Sequence, residues 1–331
     1  MTPDTMVTVE MREPGAPEVL ETGSRAVPVP GDTHLLIRVA AAGVNGPDLV
    51  QRRGHYPPPR GASDLLGLEV SGEVVAIGGA VERWRLGDTV CALTNGGGYA
   101  GYVAVEAGHC LGVPAGVDPV DAAGLPETFL TVWSNCLLGT GDTGSGGRGP
   151  GLFLVHGGAG GIGCTAVQLG AALGMRVFTT CSADDMDFCR DNGAERAIDY
   201  ATEDFVEIVR SAGGADLVLD TVGGDYIARN VRAASPDARI VQLAFNRGSK
   251  VEIDLMPIML KRLLYTGSTL RSRPDAFKAS VARELERAVW PLFEAGTVRT
   301  RTFTTLPLAQ ARRAHELMES GGHRGKILLV P

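Results

Sequence analysis

The residues of this sequence best suited to holding a charged ligand are Gly157-Gly158-Ala159-Gly160-Gly161-Ile162-Gly163. Phe153–His156 before them reads as a buried strand, and Ile162, Ala166, Leu169 and Leu173 after them fall on one face of a helix. Glycines at 157, 160 and 163 allow a tight turn, a close backbone approach to a pyrophosphate, and close packing of helix on strand. Free N–H groups at the helix start then meet the negative charge, aided by the helix dipole. Gly157, Gly160, Gly161, Ile162 and Gly163 are therefore assigned to the pyrophosphate of a dinucleotide. The strand–turn–helix setting carries this reading, since a glycine-rich turn alone is as often structural.

The residues leave the choice of dinucleotide open. The second strand, Val177–Thr180, ends without the Asp or Glu that binds a ribose 2′-hydroxyl, which points to the 2′-phosphate of NADP. Asp184 and Asp185 follow, and two carboxylates repel a phosphate. Ser182-Ala-Asp-Asp185 also reads as a capping box, with Ser182 capping the next helix and Asp185 reaching back.

Two textures supply the elements around the turn. From Met6 to about Leu125, short apolar runs such as Leu35–Val39, Val70–Ile77, Asp88–Leu93 and Tyr99–Val105 are broken by Gly, Pro and Asp, an all-β pattern. From Gly151, apolar runs begin near Leu152, Arg176, Arg196, Ala215, Arg239 and Leu263. Helix-compatible segments lie between them: Ile162–Leu173, Asp185–Asn192, Thr202–Ser211 and Tyr226–Ala234. Repeated strand–helix units predict a parallel sheet covered on both faces. After Arg271 come helices at Asp275–Ala295 and Leu308–Ser320 and a strand at Lys326–Val330, which packs back onto the first part. The run Gly139–Gly151 has seven glycines in thirteen residues and reads as a flexible surface loop.

Composition excludes some classes. With 331 residues, 44% hydrophobic and 21% charged, the chain can bury a large core without disulfides or a structural metal. A net charge of −7 argues against nucleic-acid binding as the main task. No apolar run reaches the roughly 18 residues that span a bilayer. Met1–Arg12 lacks a signal-peptide core, so a cytoplasmic location is expected. The six cysteines form no C-x-x-C pair and read as buried thiols, and no pair of the six histidines has metal-ligand spacing. His156, beside the glycine turn, reads as structural.

Seven stretches in order carry a family likeness. They are Ala41-Ala-Gly-Val-Asn-Gly-Pro-Asp48, Arg53-Gly-His-Tyr-Pro-Pro-Pro59, Gly67-Leu-Glu-Val-Ser-Gly72, Gly87-Asp-Thr-Val90, Pro126-Glu-Thr-Phe-Leu-Thr131, His156–Gly163 and Gly325-Lys-Ile327. With them the chain resembles the quinone oxidoreductase (zeta-crystallin-like) branch of the medium-chain dehydrogenase/reductase superfamily over nearly its whole length. The resemblance implies an α/β fold in which a Rossmann cofactor domain, 128–271, is inserted into a GroES-like catalytic domain, 1–127 and 272–331. Zinc-dependent relatives carry Cys and His where this chain has Asn45 and Leu68, and the four-cysteine structural lobe is missing, so no metal is expected.

Further expectations rest on the same likeness. Asn45, Tyr56 and Thr131 are implied to face the nicotinamide or the acceptor, Tyr56 as a hydrogen-bond donor to a carbonyl and Asn45 as its orienting partner. Ser182 and Tyr200 are placed at the adenosine phosphate, Ala244, Phe245 and Leu270 at the nicotinamide half, and Lys326 and Arg324 as restored positive charge. Read as bare residues, Tyr56 also fits a loop anchor, Asn45 a turn former and Thr131 an ordinary helix residue. The implied cofactor is NADPH, with NADH kept open by Asp184 and Asp185. Without a Lewis acid the acceptor must need little polarisation, which points to a quinone or enone. A 2-enoyl thioester reductase and a non-catalytic NADPH-binding protein with a structural or RNA-related role are the alternatives. Leu263–Ser268 is expected at a sheet edge, and a homodimer is implied.

Overall fold

Six strands of the middle segment form one parallel sheet in a computed structural model that describes residues 2–138 and 151–331. Apart from Gly151, the run Gly139–Gly151 lies outside the described residues. In space the strands run Arg196–Asp199, Arg176–Cys181, Leu152–His156, Ala215–Asp220, Ala234–Gln242 and Leu264–Gly267, every neighbouring pair parallel. The chain moves outward from Leu152–His156 on one side, then returns to its other flank at Ala215–Asp220. Parallel crossovers are right-handed, so this reversal sends the helices to opposite faces. It is the doubly wound order of a Rossmann sheet. Leu154, Phe178, Ile198, Val218 and Ile240 form part of its core.

Helices begin close to where the apolar pattern predicts them, at Gly161–Ala172, Met186–Asp191, Phe205–Ser211 and Tyr226–Ala233. Ala166 and Leu169 are fully buried, but Leu173, expected on the same face, is 40% exposed because the helix stops at Ala172. These elements belong to a compact unit, Thr131–Thr269.

The other unit comprises Met1–Leu130 and Leu270–Pro331. Its larger sheet runs Thr302–Pro307, Lys326–Val330, His34–Gly43, Glu69–Ile77, Thr89–Leu93 and Cys110–Gly112, with Tyr102–Glu106 also paired to His34–Gly43. Lys326–Val330 joins antiparallel, Leu328 facing Gly43 and Leu329 facing Ala42. Leu35, Ile37, Val70, Val90 and Leu329 lie in the core beneath it.

This part is not purely β as the sequence pattern suggests, because a helix, Gly46–Arg52, interrupts it. Capping chemistry rather than periodicity starts that helix. Pro47 occupies its first turn, and the Asp48 carboxylate accepts the backbone N–H of Asn45 at 2.9 Å. No helix among the described residues is long and apolar enough to cross a membrane.

Candidate active site

The glycine turn follows a strand buried at every residue. Gly157 has φ +75°, and its N–H and that of Gly158 both donate to Thr180 O, at 3.0 and 3.1 Å. The two outer glycines have protein-internal reasons. Gly157 sits in the left-handed region, and a Cβ on Gly163 would lie 2.0 Å from Gly157 O. Gly160 is different, because a Cβ there would meet nothing nearer than 3.7 Å. The space it leaves beside the helix start is a cradle that a side chain would fill. Gly161, Ile162 and Gly163 form the first turn of a twelve-residue helix, where N–H groups lack intrahelical partners. These residues fit a pyrophosphate.

Two other expected contacts come together at the neighbouring strand ends. Cys181 pairs with Asp199 in the sheet, so Ser182 and Tyr200 both follow the same edge. Tyr200 donates its N–H to Cys181 O at 3.1 Å and leaves its ring 57% exposed. Ser182 precedes the short turn Ala183–Asp185, but the expected capping box does not form. Its hydroxyl donates to the Asp185 carboxylate at 2.6 Å instead of accepting a backbone N–H. A charged acceptor outcompetes the weaker amide contact.

Ala244 and Phe245 follow the strand Ala234–Gln242. Ala244 O accepts from Gln242 Nε2 at 2.6 Å, and Phe245 is 47% exposed. Leu270 is buried and groups with the first unit rather than with these two residues. His156 is fully buried and held between Thr180 Oγ1 at 3.0 Å and Asn230 Oδ1 at 2.7 Å, a packing role.

Thr131 opens the second unit, just before the π-helical turn Trp133–Leu137. An ordinary helical threonine back-bonds to the preceding turn, as Thr128 does to Gly124 O at 3.3 Å. Thr131 does not. Its Oγ1 is buried and has no hydrogen-bond partner among the described residues.

In the first unit Asn45 stands in an ion cluster. Its Oδ1 accepts from Lys326 Nζ at 2.6 Å, and its Nδ2 donates to Glu69 Oε1 at 2.9 Å and to Gly43 O at 3.4 Å. Both amide hydrogens of Asn45, expected to orient a substrate carbonyl, are donated to Glu69 and Gly43. What remains is acceptor capacity on Oδ1. Lys326, expected to supply charge to the cofactor, is here as well. Its ammonium lies 2.7 Å from Glu69 Oε1 and 3.0 Å from Val44 O, which together with Asn45 take up its three hydrogens.

A second buried chain joins this cluster. Asp48, with no exposure, accepts from Gly67 N at 3.0 Å and from Tyr99 OH at 3.3 Å. Tyr99 OH meets His315 Nε2 at 3.1 Å, and His315 Nδ1 meets Arg52 NH1 at 3.2 Å. An arginine only donates, so Nδ1 accepts and the ring proton sits on Nε2. Burial, followed by the charge of Arg52, pushes His315 down to about 3. Burial pushes Asp48 up to about 6, against its N–H partners and Lys326.

Tyr56 is partly buried, with the Arg271 guanidinium 5.3 Å from its ring centre. Arg271 is fixed by Asn95 O and by Gln51 Oε1, the latter at 2.7 Å. Sequence reasoning singled out Asn45 and Tyr56 but passed over Glu69, Glu127, Asp48 and Arg271. The available signal was a Glu inside the apolar strand Glu69–Ile77 and another at the start of the helix Pro126–Val132. A carboxylate in an apolar setting needs a partner, and that need is readable without coordinates.

The fold and site define an oxidoreductase built on a dinucleotide-binding sheet and a β-rich catalytic unit. Residues 31–115 match the alcohol dehydrogenase GroES-like domain, and residues 192–329 match the zinc-binding dehydrogenase family. A quinone oxidoreductase of Pseudomonas aeruginosa is 31% identical over 323 residues, covering 96% of this chain and 97% of that protein. The chain therefore belongs to the quinone oxidoreductase branch of the medium-chain dehydrogenase/reductase superfamily.

Two other matches bear on its use. The crystal structure of Escherichia coli quinone oxidoreductase complexed with NADPH superposes with a TM-score of 0.84 at 27% identity, covering 98% of this chain and 100% of that one. A mycocerosic acid synthase-like polyketide synthase of Mycobacterium tuberculosis is 27% identical over 330 residues. That match takes in 97% of this chain and only 15% of the synthase's length.

Proposed function

We propose that this protein transfers a hydride from NADPH to a quinone or a similar conjugated carbonyl without a catalytic metal. The observation that carries the reading is the Lys326 ammonium, fixed 2.6 Å from Asn45 Oδ1. Position 45 is where zinc-dependent relatives place a thiolate. Here the side chain is a neutral amide already holding a cation, and position 68 is a buried leucine. A second cation beside Lys326 would be repelled, and neither residue offers the thiolate or imidazole that zinc requires. Among the described residues no group of three or more His, Cys, Asp or Glu could hold a metal ion. An acceptor that needs little polarisation suits such a site.

When bound, the nicotinamide supplies the hydride and the protein supplies position. Gly157, Gly160, Gly161, Ile162 and Gly163 would hold the pyrophosphate, Ser182 and Tyr200 the adenosine phosphate, and Ala244 with Phe245 the nicotinamide half. The unpartnered Thr131 hydroxyl is kept for the cofactor or the acceptor. Tyr56 donates its phenolic hydrogen to the acceptor oxygen, and Asn45 offers a lone pair rather than a donor. NADPH is favoured because Cys181 ends the second strand where an acidic residue would bind a ribose 2′-hydroxyl. The NADPH complex of the Escherichia coli relative agrees with that choice.

The test is loss of dihydronicotinamide absorbance with a panel of quinones and enones. Tight NADPH binding without turnover on any of them would sink the enzymatic reading in favour of a non-catalytic role. The polyketide synthase relative supports a second reading, reduction of a 2-enoyl thioester. Faster turnover of a crotonyl thioester than of any quinone would select it.

We also propose a cytoplasmic homodimer. Among the described residues Leu264–Gly267 pairs only with Ala234–Gln242, which leaves its other edge open. Leu255, Met256, Met259, Leu260 and Leu264 on and beside it are each more than half exposed. A second copy of the chain would cover this apolar edge. Light scattering that shows only monomers at micromolar concentration would rule it out.

A further inference from the structure

Four lysine or arginine side chains are buried among the described residues: Arg52, Arg271, Lys278 and Lys326. Three of them meet a carboxylate, Arg52 that of Glu319, Lys278 that of Asp275 at 3.2 Å and Lys326 that of Glu69 at 2.7 Å. Arg271 has no ion-pair partner among the described residues. Its Nε and Nη2 donate to Asn95 O at 2.9 and 2.6 Å, and its Nη1 donates to Gln51 Oε1 at 2.7 Å. Both acceptors are neutral, and they take three of the five N–H groups. A buried cation without a counter-charge is costly. The side chain it faces is a weak acid: the guanidinium carbon lies 5.3 Å from the ring centre of Tyr56. Gln51 belongs to the helix Gly46–Arg52, whose N-cap is Asn45, and Tyr56 stands on the loop after that helix. Arg271 is thus locked to the helix that lies between the two candidate residues Asn45 and Tyr56.

Resting on the reading that Tyr56 protonates a reduced quinone or enone, we propose that Arg271 is a positioning residue for that step, holding the Tyr56 ring and offsetting the charge left on it when its proton departs. A phenolate spreads its negative charge from oxygen into the ring. A guanidinium beside the ring meets that charge, where before the transfer it meets only the ring quadrupole. An attraction that strengthens as the proton leaves lowers the barrier to its leaving. The other charges work the opposite way. Burial first, then the charge of Glu127, holds the Tyr56 phenol above its ordinary value, with Asp48 adding to them and Arg271 opposing. Without Arg271 the phenol would be a poorer acid.

The balance closes. The acceptor gains a hydride and is reduced by two electrons, the dihydronicotinamide being the reductant, and its oxygen becomes anionic. An O–H bond forms to that oxygen as the Tyr56 O–H bond breaks. The Tyr56 oxygen regains a proton from water, and Arg271 keeps its own protons throughout.

Two variants test this. Arg271→Ala should lower kcat about 100-fold, the lower end of what loss of one charge-stabilising group costs, with KM nearly unchanged. Guanidinium ion added to that variant should restore part of kcat, whereas urea, planar and of similar size but uncharged, should not. Arg271→Lys keeps the charge without the planar fork, so its kcat should fall between the two. In the Tyr56→Phe protein the same Arg271→Lys change should cost much less, because no phenolate forms there. This second arm stands even where the alanine variant does not fold. Three results would each overturn the assignment alone: unchanged kcat in a folded Arg271→Ala variant, equal rescue by urea and guanidinium, or an equal Arg271→Lys loss with and without the Tyr56 hydroxyl. Failure of the native protein to reduce any quinone or enone would overturn the underlying reading and the role of Arg271 with it.

Discussion

Lys326 Nζ and Glu69 Oε1 lie 2.7 Å apart, with the glutamate side chain fully buried and the lysine side chain 9% exposed. This pair ties the last strand to the strand Glu69–Ile77, and Asn45 bridges it from both sides. Breaking a buried pair by removing one partner leaves an uncompensated charge, at a cost of about 3–5 kcal/mol. Lys326→Met and Glu69→Gln should each lower the unfolding free energy, read from urea titrations, by that order. The double variant should be less destabilised than the sum of the two. Additive losses in the double-mutant cycle would show that the residues do not act as a pair.

The glycine turn separates structural from ligand-driven glycines. Gly163→Ala places a Cβ 2.0 Å from Gly157 O and should destabilise the native fold by more than about 2 kcal/mol, as overpacking does. Gly160→Ala meets nothing closer than 3.7 Å, so thermal stability should change little. NADPH affinity should nevertheless drop at least about tenfold, or about 1.4 kcal/mol. Unaltered NADPH binding in Gly160→Ala would remove the pyrophosphate from this turn.

Acid should weaken the fold through His315. Its folded value of about 3 lies below the ordinary 6.5, so the unfolded chain binds the extra proton between those values. Stability from this group is complete above about pH 6.5 and is lost as pH falls toward 3. His109, pushed down to about 4 by burial, adds in the same sense. Asp48, raised from 3.8 to about 6, works oppositely, because its contribution is lost as pH rises through that window. His315→Gln should reduce the slope of unfolding free energy between pH 4 and 6 by up to about 1.4 kcal/mol per pH unit. Urea titrations at several pH values in which the variant keeps the native slope would place the His315 proton elsewhere.

Cofactor choice should turn on the segment after Ser182. The Ser182 hydroxyl is committed to Asp185 at 2.6 Å, so a 2′-phosphate must compete with that carboxylate for it. Asp184→Lys with Asp185→Lys should favour NADPH over NADH by at least about tenfold relative to the native ratio, since two repulsive charges become attractive. Calorimetric titration with each nucleotide reads this directly. A native preference for NADH would reverse the cofactor assignment.

The strand–helix spacing after Gly151 was sufficient to read the doubly wound sheet, because buried parallel strands write continuous apolar runs. Val177–Thr180, Tyr226–Ala234 and Lys326–Val330 are close to their observed extents. Other elements were not legible. Gly46–Arg52 is held by a proline and a carboxylate contact rather than by periodicity. The strand expected from Arg239 begins at Ala234, beyond a residue, Asp237, with φ +64°. Met256–Lys261 is a helix with no fully buried residue, and its run Met256-Pro-Ile-Met-Leu260 is apolar on every face, so no amphipathic period marks it.

Local sequence determined the turn at Gly157–Gly163, since its glycines, its strand and its helix are consecutive and their constraints act within a few residues. It also determined that positions 45 and 68 hold no thiolate or imidazole. Only the tertiary structure decided what Asn45 does, because Glu69 and Lys326 stand 24 and 281 residues away from it. The same holds for Glu127, whose carboxyl is pushed up to about 8 by burial and by the charges of Glu69 and Asp48, against those of Lys326 and Arg271. Electrostatics in a buried site depends on distance in space, and no pattern along the chain records that distance.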